Sequence, residues 1–346
     1  MNKWLGLILF SVYSLNSYAI ENGTPVAWDS NNNDDIIKLY SADEENECSG
    51  TLIAGKYVLT AAHCFNGNPI SKIKTARTQQ RQIITDNPHP DYGIPNNNWH
   101  DLALTELESS VDATRIHFFS NLTTNPFHKD NPVRIFGFGQ TKESLHYADF
   151  TMVDLGKNPQ DRLDAALKKE NSHTIGGDSG AAWLDNNNRI VAAHKGGDWH
   201  DDSYGVSTRL TYGTNLFYSR DFILNTINGW HYPTLAYTSN NKATITVQSL
   251  HSAAYGAVND MAYTTGDAQI IGGSCMTMTD ITPFTTCTYD IETTGGVGVL
   301  HLSDTESIRI TSTPKTNNPD SGSLGLFSLF GLMGLGFIRR VNNDKK

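Results

Sequence analysis

The chain has 346 residues, 38% of them hydrophobic and 18% charged, which is enough apolar content for packed cores and too much length for one small domain. Asp and Glu number 36 against 26 Lys and Arg, a formal net charge of −10 that repels phosphate backbones and argues against a nucleic-acid partner. The acidity otherwise reads as a solvated surface.

The first segment is a targeting signal. Lys3 precedes an apolar run over 5–15, and Ser17-Tyr18-Ala19 supplies the small-x-small site of a signal peptidase. Residues 1–19 are therefore expected to be a signal peptide on an exported protein. The cysteines fall into two close pairs, Cys48 with Cys64 and Cys275 with Cys287, and no Cys-x-x-Cys suggests zinc or redox work. In an oxidising compartment this predicts two disulfides, each worth about 2–4 kcal/mol.

From residue 20 the chain reads as short strands broken by Asn, Gly and Pro clusters. Asn31-Asn32-Asn33, Asn96-Asn97-Asn98 and Asn186-Asn187-Asn188 mark loops, because Asn tolerates left-handed turns. Strand-like runs include Tyr57-Val58-Leu59-Thr60, Val133-Arg134-Ile135-Phe136 and Ile190-Val191-Ala192-Ala193. Helical periodicity is confined to 161–170 and 219–227. The fold class is all-β.

The texture changes around His231-Tyr232-Pro233. Residues 233–316 are Thr- and Gly-rich with alternating runs at Ala243-Thr244-Ile245-Thr246-Val247 and Ser307-Ile308-Arg309-Ile310-Thr311, which predicts a small β-sandwich closed by Cys275 and Cys287. No catalytic motif stands in this region. Residues 317–346 begin as a polar linker and continue as an uncharged apolar run over 324–338 before Arg339-Arg340. As a helix that run reaches about 22 Å, short of the roughly 30 Å hydrocarbon core, so it reads as a marginal membrane segment.

Three local sequences carry chemistry: Thr60-Ala61-Ala62-His63-Cys64, Asp101-Leu102-Ala103-Leu104 and Gly176-Gly177-Asp178-Ser179-Gly180. A serine hydroxyl is a poor nucleophile until an imidazole takes its proton, and a buried carboxylate fixes the imidazole tautomer and stabilises the imidazolium. Glycine before the serine lets backbone N–H groups converge on a developing oxyanion, each worth about 3–4 kcal/mol. No HExxH, P-loop, dinucleotide fingerprint or calcium loop is present, so no cofactor is expected.

In this combination the chain resembles the trypsin-like (chymotrypsin-fold) serine proteases over residues 20–232. Ser49-Gly50-Thr51-Leu52-Ile53 resembles the strand before the family's histidine loop, and Cys48 and Cys64 stand at its disulfide around that loop. His89-Pro90-Asp91-Tyr92 with Asn98-Trp99-His100-Asp101, Gly137-Phe138-Gly139 and Gly205-Val206-Ser207-Thr208 continue the similarity. The resemblance implies two six-stranded antiparallel β-barrels with the site between them. It assigns His63 as general base, Asp101 as its orienter, Ser179 as nucleophile, and the N–H groups of Gly177 and Ser179 as the oxyanion hole. Protein or peptide substrates follow. The opposing reading is a surface binding protein on a catalytically silent protease fold.

Ile20-Glu21-Asn22-Gly23 resembles the mature N-terminus whose amine pairs with the Asp before the serine, here Asp178, although Glu21 replaces an apolar residue. Signal peptidase cleavage after Ala19 would itself create that amine. The pocket beside the serine departs from trypsin, with His173 in place of the pocket-floor Asp and Ile175 in place of a cysteine. Thr174 and His194, the latter leading into Lys195-Gly196-Gly197, resemble the carboxylate-binding pair of glutamyl endopeptidases. A donor-rich pocket of this kind would favour acidic side chains. A buried structural His194 with a neutral pocket stays open, as does recruitment of basic side chains by Asp198, Asp201 and Asp202. Finally, the Ser-Gly-Ser, apolar, Arg-Arg tail resembles the GlyGly-type sorting signal that rhombosortase cuts before type II secretion to a Gram-negative cell surface, without a strict Gly-Gly. A simple membrane anchor is the alternative.

Overall fold

The computed structural model describes residues 20–93, 100–141, 144–153, 162–167, 172–201, 205, 207–252, 254 and 256–313. The expected signal peptide and the apolar tail lie outside the described residues. Among the described residues no helix is long and apolar enough to cross a membrane.

The first part of the chain carries β1 (Thr24–Val26), β2 (Ile36–Ser41), β3 (Glu47–Ile53), β4 (Tyr57–Thr60), β5 (Ile70–Lys74), β6 (Gln80–Thr85) and β7 (Ala103–Leu107). Strands β2 to β7 close into a barrel in the order β2-β3-β4-β7-β6-β5. Its interior is filled by Ile37, Leu39, Leu52, Val58, Ile73 and Leu107. Closure removes the free edges that six short strands would otherwise expose.

The second part carries β8 (Pro132–Gly137), β9 (Leu145–Val153), β10 (Arg162–Leu167), β11 (Ala182–Leu184), β12 (Ile190–Asp201) and β13 (Ser207–Asn215). They pair in the order β9-β10-β13-β12-β11-β8, and β8 returns to β9, so this ring also closes with six strands. Strand β1 is added outside β9. Trp183, Phe150, Ile135, Val191 and Leu163 form its core. The helix expected over 161–170 is instead strand β10. Leu163 and Ala165 are both buried, which is the period of a strand, and the segment is paired on both sides by β9 and β13. The second expected helix forms as α1 (Arg220–Ile227) and ends on Asn228 in the left-handed region. Asn33 and Asn188 also take positive φ, as their loop sequences predict.

The remaining strands are β14 (Trp230–His231), β15 (Leu235–Thr238), β16 (Lys242–Ser249), β17 (Tyr263–Gly266), β18 (Gln269–Gly272), β19 (Thr286–Glu292), β20 (Gly298–His301) and β21 (Ser307–Ser312). They form two four-stranded sheets, β14-β16-β19-β18 and β15-β21-β20-β17, around Val247, Tyr289, Ile291, Leu300, Ile308 and Ile310. Both expected disulfides are present, with Cα–Cα distances of 6.4 Å for Cys48–Cys64 and 5.0 Å for Cys275–Cys287.

The sandwich is bonded to the barrels through buried polar groups. The Gln248 side chain accepts from the Phe119 N–H at 2.9 Å and donates to the carbonyls of Phe119 at 2.9 Å and Phe284 at 3.0 Å. His231 Nδ1 accepts from the Ala54 N–H at 3.1 Å, so its other nitrogen carries the proton and donates to the His117 carbonyl at 3.0 Å. Burial pushes the His231 imidazole down to about 4, because the cation would be desolvated.

Two outcomes are expected. Gln248→Ala strands three buried partners and should lower unfolding stability by about 2–4 kcal/mol, read by urea denaturation. His231 binds its proton more weakly folded than unfolded, so stability should fall as pH drops from about 6.5 towards 4. The same titration on His231→Asn should show a shallower slope.

Candidate active site

Each expected residue arrives on a different element. His63 lies in a 3-10 turn, Ala62–Phe65, that follows β4 and is tied down by the Cys48–Cys64 bond. Asp101 immediately precedes β7, and Ser179 lies in the loop before β11. One reacting group therefore comes from the second ring and two from the first.

The three side chains meet in a line. His63 Nδ1 lies 2.7 Å from Asp101 Oδ2, and His63 Nε2 lies 2.8 Å from Ser179 Oγ. The His63 backbone N–H also donates to Asp101 Oδ1 at 2.9 Å. A carboxylate only accepts, so Nδ1 carries the hydrogen and Nε2 is left as the acceptor for the serine hydroxyl. Asp101 is 3% exposed, which keeps water from competing for its oxygens. Thr214 Oγ1 donates to the Asp101 carbonyl at 3.1 Å and fixes the backbone from β13. This arrangement can pass the serine proton to the imidazole and hold the resulting cation.

The serine loop is shaped by Asp178. Its carboxylate is fully buried and accepts from the Gly139 N–H at 2.8 Å and the Ile175 N–H at 2.9 Å. Burial outweighs both bonds and raises it to about 7. The Ser49 hydroxyl donates to the Gly177 carbonyl at 2.9 Å, and the Ser49 N–H to the Ser179 carbonyl at 2.8 Å. The carbonyls are thus turned to one side. Among the described residues no protein acceptor takes the N–H of Gly177 or Ser179. Gly177 has φ +95° and a side chain there would run into the Gly139 backbone, so only glycine allows this path.

The remaining candidates fall in two places. Ile20 is fully buried in the core of the second ring, with Val133, Ile135, Phe150 and Trp183. The Glu21 N–H donates to the His173 carbonyl at 2.9 Å and the His173 N–H to the Glu21 carbonyl at 3.1 Å. Their side chains also pair, His173 Nε2 lying 3.2 Å from Glu21 Oε2. The two departures from the family pattern are therefore partners of each other.

Thr174 is buried, with Oγ1 3.2 Å from Thr211 Oγ1 on β13. His194 is also buried, stacks on Trp183 with centroids 6.5 Å apart, and leaves Nδ1 without a partner. Burial first, and the nearby His63 second, push it down to about 3, so it is neutral. Gly196 sits where the β12–β13 register shifts, opposite Tyr212.

Thr211 and Thr214 belong to no local motif and are brought in by the register of β13, whereas Ser49 and Gly139 stand in strings legible in the sequence whose contacts with the serine loop only the fold reveals. Gly205-Val206-Ser207-Thr208 reaches β13 only at its far end, opposite His200 and Asp201.

The trypsin family model matches residues 29–216. The chain belongs to the trypsin family of serine proteases. Mouse kallikrein-11 is 29% identical over 158 residues, 38% of this chain and 57% of that protein. The inactive serine protease scarface of Drosophila melanogaster is 28% identical over 137 residues, 34% of this chain and 20% of that protein. The chain therefore spans about half or less of the curated relatives it matches. Among solved structures, the Vibrio cholerae VesB protease aligns with TM-score 0.47 and 18% identity, covering 84% of this chain and 97% of that one. Mouse neuropsin aligns with TM-score 0.48 and 19% identity, covering 59% of this chain and 98% of that one.

Gly177→Ala should cost about 1–3 kcal/mol of stability through the positive φ and the Gly139 contact. Gly93→Ala, whose added carbon meets nothing within 4 Å, should cost only the φ strain. Thermal unfolding of the two side by side checks the difference.

Proposed function

We propose that the chain is an exported serine endopeptidase that hydrolyses protein substrates through an acyl-enzyme. The observation that carries this is the line Asp101–His63–Ser179, with contacts of 2.7 and 2.8 Å between buried or half-buried groups. Ser179 Oγ attacks the scissile carbonyl carbon while its proton moves to His63 Nε2. The carbonyl oxygen becomes an oxyanion and takes the N–H groups of Gly177 and Ser179. Collapse breaks the C–N bond, and the leaving amine takes the proton from His63. Water then attacks the acyl carbon as His63 takes its proton, the bond to Ser179 Oγ breaks, and His63 returns the proton to Oγ as the acid leaves.

Activation is part of the same proposal. Cleavage after Ala19 by signal peptidase frees the Ile20 amine, which pairs with Asp178. Burial raises the Asp178 carboxyl to about 7, and Ile20 is already packed in the adjoining core. The pocket beside Ser179 is read as non-tryptic, acidic or neutral, and built from Thr174, His173, His194 and Gly196. The protease domain covers 20–232 and the sandwich 233–316. The tail 317–346 is read as a rhombosortase-type sorting signal feeding type II secretion, its apolar run a transient or permanent membrane segment. The N-terminal pattern and the two disulfides support export.

A silent binding protein is the second reading, favoured by the likeness to an inactive relative. A serine-directed phosphonylating reagent separates them. Labelling at Ser179, lost in Ser179→Ala, supports the enzyme, and an unlabelled processed chain supports the binder. Asp101→Asn should lower kcat by about 10⁴-fold with KM little changed. N-terminal sequencing of active protein should read Ile20, and any other terminus would sink the activation scheme. Asp178→Asn should lower labelling without changing that terminus.

A further inference from the structure

Strand β13 turns Arg209 and Thr211 to the same face, since they are two residues apart on a strand. Thr211 meets Thr174 through their hydroxyls, and Arg209 Nη2 lies 3.4 Å from the Thr174 carbonyl. Thr174 begins the loop that runs through Ile175 and Asp178 to Ser179. Across from them on β12 is Gly197, where a side-chain carbon would lie 3.5 Å from Thr174 Oγ1 and 3.6 Å from Arg209 Nη2. That carbon would also meet the Leu210 carbonyl at 2.8 Å, so only glycine fits in this tight slot beside Thr174 and Arg209.

The charge in the slot is unusual. Arg209 is half-buried, its Nε is buried without a hydrogen-bond partner, and among the described residues no carboxylate forms an ion pair with it. Its guanidinium is 5.8 Å from the Trp199 ring. Asp198 and Asp201 on the neighbouring strand are exposed, and the Asp198 carboxylate is taken by the Trp199 N–H at 2.8 Å. A half-buried guanidinium with an unpartnered Nε and no anion can still take one, and its planar fork fits a carboxylate with two bonds. His194, buried close by, is neutral and cannot supply that charge.

We propose that Arg209 is the specificity-determining residue, holding the carboxylate of a Glu or Asp side chain that precedes the scissile bond, with Thr174 and Thr211 as hydroxyl donors. This rests on the serine endopeptidase reading and narrows it to acidic substrates.

The test uses the processed full chain on peptide anilides that differ only in the residue before the cut: Glu, Asp, Gln, Ala or Lys. Wild type should cleave Glu or Asp substrates about 100-fold better by kcat/KM than the Gln substrate. In Arg209→Gln that ratio should fall to near one, and in Arg209→Glu the Lys substrate should overtake Glu. Phosphonate labelling of Ser179 is measured on each variant first, so that loss of folding is seen separately. A labelled wild type that prefers Gln, Ala or Lys overturns the role of Arg209 and leaves the endopeptidase standing. So does an acid preference that survives in labelled Arg209→Gln. An unlabelled wild type overturns both.

Discussion

The site depends on a carboxylate placed where water cannot reach it. Asp178 has no solvent exposure, and its two oxygens are held by backbone N–H groups of Gly139 and Ile175 from separate loops. A charge buried in this way is stable only when hydrogen-bonded and countered. Satisfying it draws the serine loop against the loop after β8, and that contact sets the direction of the Gly177 and Ser179 N–H groups. Among the described residues no cation pairs with this carboxylate, and burial raises it to about 7.

The barrels explain why the reacting groups are rigid. His63 and Asp101 leave β4 and enter β7, which are paired neighbours, so their separation is fixed by one ladder. Ser179 enters from the other ring, and Ser49 of β3 pins its loop through bonds to the Ser179 carbonyl at 2.8 Å and the Gly177 carbonyl at 2.9 Å. Rings closed by hydrogen bonds lose little to local opening, so contacts made between their loops persist. The sandwich adds a third rigid body. Gln248 and His231 give it directional bonds to the barrels, and Leu250 and Phe284 share one core with Phe119, Leu122 and Ile223.

Much of this was legible in the chain. The strands at Tyr57–Thr60 and around Val133 and Ile190 follow from β-branched, apolar runs between turn residues, and α1 follows from its apolar spacing. The His63, Asp101 and Ser179 motifs were visible because their neighbours form short recognisable strings. The segment at 162–167 misled because its alternation is brief, and pairing by β9 and β13 overrides a weak helical preference. His173 was singled out by its distance from Ser179 along the chain, but its pairing with Glu21, a partner remote in sequence, was not legible there.

The sequence by itself determined the all-β class, the disulfide pairs, and the three motifs whose His63, Asp101 and Ser179 side chains meet in one line. Those are consequences of residue type and near-neighbour spacing, which local physics reads directly. Only the tertiary structure brought Thr211 and Arg209 to Thr174. Thr211 and Arg209 reach Thr174 because β13 pairs with β12 in one register, and a shift of a single residue would turn both to the other face. Burial likewise decided the charge states, leaving His194 neutral and Asp178 in want of a cation. Register and burial belong to residues brought together from far apart, and no window along the chain contains them.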